Sequence, residues 1–304
     1  GWMSSIKDIL YVKFKVPDLI KQDQFLQDFG FETRSSENLL MARGTDTSQY
    51  VYLAELGEPA FVGVGFEAAS LDDLEALAKR ENVSIEDVRL PGEGCKIALE
   101  DPDGNIVEVV FGIEPAVEHE VVPRPAFNAG TKRLRLGERV KLSPPKHLVK
   151  RLGHCVLNVV DFRDSERWYK DRFGLITSDE IYIESKENVL GAFLRCDRGK
   201  DYVDHHTLFL VGAGESGFNH AAFEVEDWDS LMVGHDRLKQ GEYEHRWGVG
   251  KHILGSQVFD YWRDPHGFSL EHFTDGDLFN VDSGSHLAPL DDLLNVLWGP
   301  QGHP

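Results

Sequence analysis

One eight-residue pattern occurs twice in this chain, and it constrains the fold more than any other feature. Residues 101–108 read DPDGNIVE and residues 264–271 read DPHGFSLE, so both follow the pattern DPxGxxxE. The Asp-Pro-x-Gly part predicts a turn, because proline fixes φ and glycine accepts positive φ. The residues after the turn favour a strand. The same pattern in both halves of the chain predicts a duplicated domain.

Two further pairs of segments match in the same order. LYVKFKVPD (10–18) corresponds to GHCVLNVVD (153–161), and each precedes a helical segment with a glycine near its end, FLQDFGF (25–31) and WYKDRFGL (168–175). Such a glycine suits a helix C-cap. FVGVGFEAASLDDLEAL (61–77) corresponds to FNHAAFEVEDWDSLMVG (218–234), and each is typical of a strand followed by an acidic helix start.

These matches predict an α+β chain of two similar domains, residues 5–113 and 148–276. Each domain is expected to hold two βαβββ modules, which makes four in all. The predicted linker spans residues 114–147, with prolines at 115, 123, 125, 144 and 145, and residues 277–304 form a C-terminal tail. A length of 304 residues fits two domains of about 150 residues each. An α+β protein without duplication is the alternative.

The composition indicates which partners and which cellular compartment are expected for this chain. The formal net charge of −20 disfavours nucleic acid and anionic membranes as partners. No apolar run approaches the roughly 18 residues of a membrane span, and the N-terminus lacks a charged-then-apolar signal segment. Cys95, Cys155 and Cys196 lie far apart without a CxxC pair, which favours a reduced, cytoplasmic protein.

Histidine placement distinguishes the two predicted copies. Of 13 histidines, only His119 precedes residue 147. The repeat alignment gives three matched positions: Tyr11 with His154, Gly63 with His220, and Glu108 with Glu271. The C-terminal copy therefore carries two histidines and a carboxylate where the N-terminal copy keeps only the carboxylate.

Two histidines and one carboxylate form the facial triad of Fe(II) oxygenases, which leaves the opposite face of the metal open for substrate and O₂. The sequence thus predicts a metal site at His154, His220 and Glu271. Fe(II) is the expected metal and Mn(II) is the alternative, since both accept this ligand set. Taken alone, His154 could instead be a satisfied core histidine, and Glu271 a carboxylate at a strand end.

The C-terminal half resembles the type I extradiol ring-cleavage dioxygenases of the vicinal oxygen chelate superfamily. The segments that carry the resemblance are RLGHCVLNV (151–159), DHHTLFL (204–210), NHAAFEV (219–225), KHILGSQVFDYW (251–262) and DPHGFSLEHFTDGD (264–277). The resemblance extends over nearly the whole chain, including the N-terminal copy without ligands. It implies a metal site in a barrel-like cup of the C-terminal domain, and a homo-oligomer.

The resemblance also implies a reaction and three further site residues. His206 matches the histidine that serves as acid-base catalyst and contacts bound O₂, while His252 and Tyr261 match residues that hydrogen-bond the substrate oxygens. A metal-bound catechol would be cleaved beside its diol, and both atoms of O₂ would enter the product. The alternatives are a strand histidine for His206, a loop histidine for His252 and a cross-strand aromatic for Tyr261.

Other histidines are expected outside the site. If DHHTLFL is a strand, its side chains alternate, and His205 points to the face opposite His206. By the same rule His272 faces away from the metal. His245 and His266 are interpreted as surface or packing residues.

The tail residues 287–298 read LAPLDDLLNVLW, with leucines 287, 290, 294 and 297 at the spacing of a helix. This helix is interpreted as packing on its own domain or on a neighbouring subunit, with a lid over the site as the alternative. Residues 272–304 contain no lysine or arginine. A tail that covers the site would therefore favour a neutral or apolar ring substituent.

Two other functions remain open at this point. A glyoxalase-like metal isomerase could share the fold, but it would use a different ligand set, often richer in glutamate. A metal-free small-molecule-binding protein is the second alternative, although it gives no reason to keep the histidines in one copy only.

Overall fold

A computed structural model describes residues 5–121, 126–141 and 146–304. The linker prolines at 123, 125, 144 and 145 lie outside these ranges. Two large sheets form, one from each half of the chain, and each contains two βαβββ modules. The predicted α+β fold with four modules is therefore confirmed. The domain limits at residues 113 and 148 remain a proposal.

The N-terminal sheet has eight strands in the order β2-β3-β4-β1-β5-β8-β7-β6. Its strands are β1 (Ile6–Val16), β2 (Glu32–Ser35), β3 (Leu39–Arg43), β4 (Tyr52–Leu56), β5 (Ala60–Ala68), β6 (Glu86–Asp87), β7 (Cys95–Glu100) and β8 (Ile106–Phe111). Its helices are α1 (Leu19–Phe29) and α2 (Leu71–Glu81). The two modules meet where β1 pairs antiparallel with β5.

The C-terminal sheet has ten strands in the order β19-β10-β11-β13-β9-β14-β17-β16-β15-β20, with β19 (His286–Pro289) and β20 (Val296–Trp298) at its edges. Its module strands are β9 (Val149–Val159), β10 (Ile176–Tyr182), β11 (Val189–Arg195), β13 (Leu208–Gly212), β14 (Gly217–Val225), β15 (Glu244–His252), β16 (Val258–Arg263) and β17 (Ser269–Thr274). Its helices are α3 (Phe162–Phe173) and α4 (Trp228–Gln240). A short pair, β12 (Val203–Asp204) and β18 (Leu278–Phe279), lies outside this sheet.

The first helix of each copy begins and ends in the same way. Asp18 and Asp161 are the N-caps of α1 and α3, and each side chain accepts a backbone N–H of the first turn. Gly30 and Gly174 are the C-caps, with φ of 114° and 68°. This left-handed conformation favours glycine. The two glycines predicted to end the helices therefore do so.

The repeated turns connect the two copies to each other. The carboxylates of Asp101 and Asp264 each accept two backbone N–H groups of their own turn. Asp101 also accepts the Tyr169 hydroxyl at 2.6 Å, and Asp264 accepts Gln22 Nε2 at 2.9 Å. Each partner lies on the first helix of the opposite copy, so the DPxG pattern stabilises both a turn and the interface between the halves.

The single helix predicted across residues 287–298 is wrong. The segment forms β19 (His286–Pro289), the short helix α5 (Leu290–Leu294) and β20 (Val296–Trp298), after a 3-10 turn at Val281–Ser283. β19 pairs with β10 and β20 pairs with β15, at the two edges of the C-terminal sheet. Unpaired backbone groups on the edge strands outweigh the helical spacing of the leucines. Within the described ranges, no helix is long and apolar enough to cross a membrane.

Candidate active site

The predicted metal ligands come from three adjacent strands, β9, β14 and β17. Ala222 of the central strand pairs with His154 on one side and with Glu271 on the other. His220 lies two residues before Ala222, so strand alternation places its side chain on the same face. The small Ala222 side chain leaves space between the ligands. Three residues distant in sequence are thus brought together by register alone.

The ligand atoms lie close together and are shielded from solvent. His220 Nε2 and His154 Nε2 are 3.0 and 3.6 Å from Glu271 Oε1. One ligand atom from each of the three residues lies within 4.8 Å of the other two. Both carboxylate oxygens of Glu271 are buried without a hydrogen-bond partner among the described residues. A buried carboxylate in that condition is costly unless a cation compensates it.

This arrangement fits a divalent metal. Ligands about 2.1 Å from one ion lie on the order of 3 Å from each other, which matches the observed spacing. His220 Nδ1 is 2.7 Å from Asn219 Oδ1, an acceptor, so Nδ1 carries the proton and Nε2 keeps its lone pair. Two imidazoles and one carboxylate suit Fe(II) or Mn(II). The donor chemistry, the spacing and the unpartnered carboxylate agree.

The surroundings favour the ligand-competent charge states. Burial lowers the pKa of His220 to about 4, which keeps its imidazole neutral. Burial alone would raise the pKa of Glu271, but His154 and His220 lower it below its usual range. A neutral imidazole and an ionised carboxylate are the forms that bind a metal.

His252 and Tyr261 form a pair beside this cluster. Tyr261 lies directly across from Glu271 on the neighbouring strand β16. His252 ends β15, and its Nε2 is 2.8 Å from the Tyr261 hydroxyl. Burial lowers the pKa of His252 to about 3, and burial together with the Glu271 carboxylate raises the pKa of Tyr261 well above its usual value. Both groups are thus neutral hydrogen-bonding partners.

His206 lies on the other side of the cluster, with its ring centroid 3.9 Å from that of His154. It is 4% exposed, and burial followed by the proximity of His154 lowers its pKa well below the usual value. The structure thus places all three residues implied by the resemblance around the three predicted ligands.

The expectation that His205 faces away from His206 is wrong. His205 Nδ1 is 2.9 Å from His206 Nδ1, and the side chain is buried. Strand alternation does not apply, because residues 205–207 form a bend between β12 and β13. His272, in contrast, does face away, with its ring stacked on Phe29. His245 and His266 bond to Asp260 and Gln22 and play packing roles.

A cavity of about 210 Å³ opens above the cluster. His154, His206, His220, His252 and Tyr261 line its floor. Its walls are mainly apolar and include Leu190, Phe193, Phe209, Val211, Leu254 and Leu293. Helix α5 of the tail supplies one wall, and His303 also lines the cavity. The tail therefore packs on its own domain and at the same time borders the site.

Comparison with known proteins places this domain in a family. Residues 151–272 match the model of the Glyoxalase/Bleomycin resistance protein/Dioxygenase superfamily. The C-terminal copy belongs to this superfamily. The superfamily inferred from the sequence is thereby confirmed, and the matched segment contains all three predicted ligands.

Relatives within the superfamily extend over nearly the whole chain. The chain is 28% identical to metapyrocatechase 2 of Cupriavidus necator over 302 residues, which covers 97% of this chain and 90% of the relative. It is 27% identical to an iron-dependent extradiol dioxygenase of Rhodococcus jostii (strain RHA1) over 257 residues, covering 77% and 76%. Both alignments continue beyond the matched domain into the N-terminal copy.

Solved structures of other proteins share the fold. A Mn(II)-bound glyoxalase from Novosphingobium aromaticivorans superposes with a TM-score of 0.81 at 21% identity, covering 99% of this chain and 95% of that one. The 2,3-dioxygenase LapB from Pseudomonas sp. KL28 superposes with a TM-score of 0.74 at 17% identity, covering 96% and 100%. At these identities the likeness concerns the fold alone.

Several residues at or near the site were not predicted from the sequence. Asn219, which bonds to His220, is adjacent to a predicted ligand, and that adjacency was an available signal. Asp179, 2.5 Å from His205, lies on β10, far from His205 in sequence, and had no such signal. The aromatic walls Phe193 and Phe209 read as ordinary strand residues. Only the fold brings Phe193 and Phe209 to the cavity and Asp179 to His205.

Proposed function

We propose that this chain is an extradiol dioxygenase that cleaves a catechol beside its diol and incorporates both atoms of O₂. The observation that carries the proposal is the arrangement around Glu271. Two imidazoles and one carboxylate converge beneath an open cavity, with His206 on one side and the His252–Tyr261 pair on the other. The relatives named metapyrocatechase and extradiol dioxygenase support the same reaction.

His154, His220 and Glu271 would hold the metal, for which we propose Fe(II), with Mn(II) as the alternative. A bound Fe(II) would supply a Lewis acid that favours ionisation of the chelated diol and lets ring electron density reach O₂. The only carboxylate of the cluster, Glu271, leaves the ligand set with a single negative charge. A catecholate can therefore bind without excessive repulsion.

The remaining residues orient the substrate and move protons. The Tyr261 hydroxyl and His252 Nε2 face the cavity as neutral groups and would hydrogen-bond the diol oxygens. His206 is buried and neutral, so its free ring nitrogen can take up a hydroxyl proton and return it later. The apolar walls exclude water from the cavity, which strengthens these polar contacts.

The cavity walls also favour a substrate class. No lysine or arginine lines the cavity among the described residues. A carboxylated ring would find no cationic partner there, whereas an apolar substituent would contact Phe193, Phe209 and Leu293. We propose a catechol with a neutral, apolar substituent.

The partners and compartment are proposed on weaker grounds. Exposed apolar side chains lie on the tail and on α4: Leu294, Leu297, Trp298, Trp228 and Met232. The Trp228 and Trp298 rings are 5.4 Å apart, so the two elements meet at this surface. Such a surface supports a homo-oligomer, which light scattering of the purified protein would test. Three cysteines without disulfides and a net charge of −20 support a cytoplasmic protein that binds no nucleic acid or membrane.

The test is an aerobic assay of the Fe(II)-loaded protein with a panel of catechols that differ only in the ring substituent. Oxygen uptake in step with a yellow ring-opened product is the expected result, with alkyl or aryl catechols preferred over carboxylated ones. His154→Ala is the inactive control, and Glu108→Gln in the other copy is the active control. A panel without oxygen uptake, on protein that contains the metal, contradicts the proposal.

A glyoxalase-like metal isomerase is the second candidate, because the same fold occurs in a Mn(II)-bound glyoxalase. An isomerase consumes no O₂. Turnover that continues in anaerobic buffer would select it, and turnover that requires O₂ would exclude it. Metal retention in the purified protein would argue against a metal-free binding protein.

A further inference from the structure

A buried chain of three side chains leads away from the active site behind His206. His205 Nδ1 is 2.9 Å from His206 Nδ1, and His205 Nε2 is 2.5 Å from Asp179 Oδ2. Asp179, His205 and His206 are 7%, 1% and 4% exposed. Water therefore has little access to these hydrogen bonds, and the low-dielectric surroundings strengthen them.

The backbone around His205 is held from several directions. Its N–H donates to the Asp277 carbonyl at 2.9 Å, and its carbonyl accepts the Ser178 hydroxyl at 2.5 Å. Arg195 donates in turn to that hydroxyl at 2.8 Å. The Phe193 ring packs against both imidazoles, with centroids 5.2 Å from His205 and 4.7 Å from His206. The two rings are therefore confined to the geometry that joins their Nδ1 atoms.

The hydrogen bonds that join Asp179, His205 and His206 limit the positions of the protons and therefore the tautomers of the two histidines. A carboxylate only accepts hydrogen bonds, so His205 Nε2 donates to Asp179. In neutral His205, Nδ1 then carries a lone pair and accepts from His206. This requires the proton of neutral His206 on Nδ1, and it leaves Nε2 without a proton.

We propose that Asp179 and His205 are positioning residues that fix His206 as its Nδ1–H tautomer, so that Nε2 is available as the base for the substrate hydroxyl. The Asp179 carboxylate lies one imidazole ring away from His206. The proton comes from the substrate, and no further reactant is needed. The assignment of the tautomer does not depend on the proposed function, whereas the expected changes in kcat rest on it.

Two substitutions of His205 separate this role from packing. In His205→Asn, the amide oxygen stands near the place of Nδ1 and can still accept from His206. In His205→Gln, the amide reaches toward Asp179 but offers no acceptor at the Nδ1 place. We expect kcat to fall about 10–100-fold in His205→Gln and about 10-fold in Asp179→Asn. His205→Asn should stay within about 5-fold of wild type, and metal content and the KM for the catechol should change little in all three.

His286→Ala is the matched control. Its ring approaches Asp179 Oδ1 at 3.9 Å but is 74% exposed and lies outside the chain of three residues. We expect its kcat to equal that of wild type. An equal loss of kcat in His205→Asn and His205→Gln would overturn the proposal, because a packing role predicts that result.

The tautomer itself is measured without turnover. Nitrogen-15 NMR of histidine-labelled, Zn(II)-substituted protein reports which ring nitrogen carries the proton, and His206→Asn identifies the His206 signals. We expect the proton on Nδ1 in wild type and a mixture of tautomers in Asp179→Asn. A wild-type His206 protonated on Nε2 would overturn the assignment. If wild type cleaves no catechol, the proposed function fails while this measurement still tests the tautomer.

Discussion

Glu108 and Glu271 occupy equivalent positions in the two copies, yet their charges are compensated in different ways. Each lies directly across from a small residue of the neighbouring strand, Gly65 and Ala222 respectively. Glu108 accepts hydrogen bonds from Lys96 Nζ at 2.7 Å, Lys13 Nζ at 3.1 Å and the Tyr11 hydroxyl at 2.7 Å. Glu271 instead faces His154 and His220 and lacks hydrogen bonds among the described residues.

The comparison teaches what a buried carboxylate requires. Burial raises the pKa of Glu108, but the two ammonium groups and the Tyr11 hydroxyl more than offset this, so that its pKa lies below the usual value. Two ammonium groups carry the same total charge as one divalent cation. The N-terminal copy therefore contains its own cationic compensation for the buried carboxylate, whereas in the C-terminal copy the proposed metal ion would supply it.

The packing of the N-terminal copy also leaves no space for metal ligands at the equivalent positions. A Cβ on Gly63, the counterpart of His220, would lie 1.7 Å from the Ile106 carbonyl oxygen. A Cβ on Gly65 would meet the Tyr11 ring at 2.2 Å. Both glycines are needed for close approach, so the absence of ligands is built into the packing of this copy.

The largest expected effect comes from the carboxylate of the C-terminal copy. Glu271→Gln should weaken metal binding and lower catechol cleavage more than about 100-fold, since it removes a charged ligand. Glu108→Gln should change neither. Metal analysis and oxygen uptake on the two variants measure this directly. A partial loss of metal in Glu108→Gln would show that the N-terminal copy also binds the ion, and a complete loss would contradict the proposed site at Glu271.

Lys13 and Lys96, which pair with Glu108, should contribute strongly to the free energy of unfolding of the N-terminal copy. Lys13→Met/Lys96→Met leaves Glu108 charged and buried, and we expect a loss of about 2–4 kcal/mol in the free energy of unfolding. Solvent screens these ion pairs in part, because the Lys13 and Lys96 side chains are 21% and 24% exposed. Adding Glu108→Gln should restore much of the loss. Urea unfolding that shows no restoration would mean that the lysines act by packing.

Rebuilding the ligand set in the N-terminal copy should fail. Tyr11→His/Gly63→His supplies both imidazoles next to Glu108, but the new side chain at position 63 meets the Ile106 backbone. We expect a destabilisation of about 1–3 kcal/mol from overpacking and an unchanged metal content. A second bound metal per chain would break the comparison. It would show that the copies differ only in the residue types at these two positions and not in the packing around them.

The smallest effect concerns pH. Because the pKa of Glu108 is lower in the folded chain, its charge contributes stability above the unfolded pKa, and this contribution is lost as pH falls through the folded value. Wild type should exceed Glu108→Gln in unfolding free energy by about 1 kcal/mol at neutral pH. The difference should shrink below pH 4.5, the ordinary value for this group. A difference that grows on acidification contradicts the ion-pair assignment.

Much of the fold and of the site followed from the sequence, because both depend on local pattern. The duplicated DPxGxxxE turns, the helix caps and the apolar strands repeat in order, and repetition predicts equivalent strands. Strand register then places equivalent residues on one face, so the alignment of His154 with Tyr11 already predicted which copy could bind a metal.

The tertiary structure alone decided the contacts that cross between modules. Asp179 reaches His205 only because β10 lies beside the bend at residues 205–207, and no sequence spacing encodes that proximity. The tail leucines have helical spacing, yet the backbone of the tail pairs with both edges of the sheet and forms a strand on each side of α5. Local periodicity determines which face of an element is apolar. Pairing between distant segments determines which partner covers it, since backbone groups at a sheet edge gain hydrogen bonds from whichever strand can reach them.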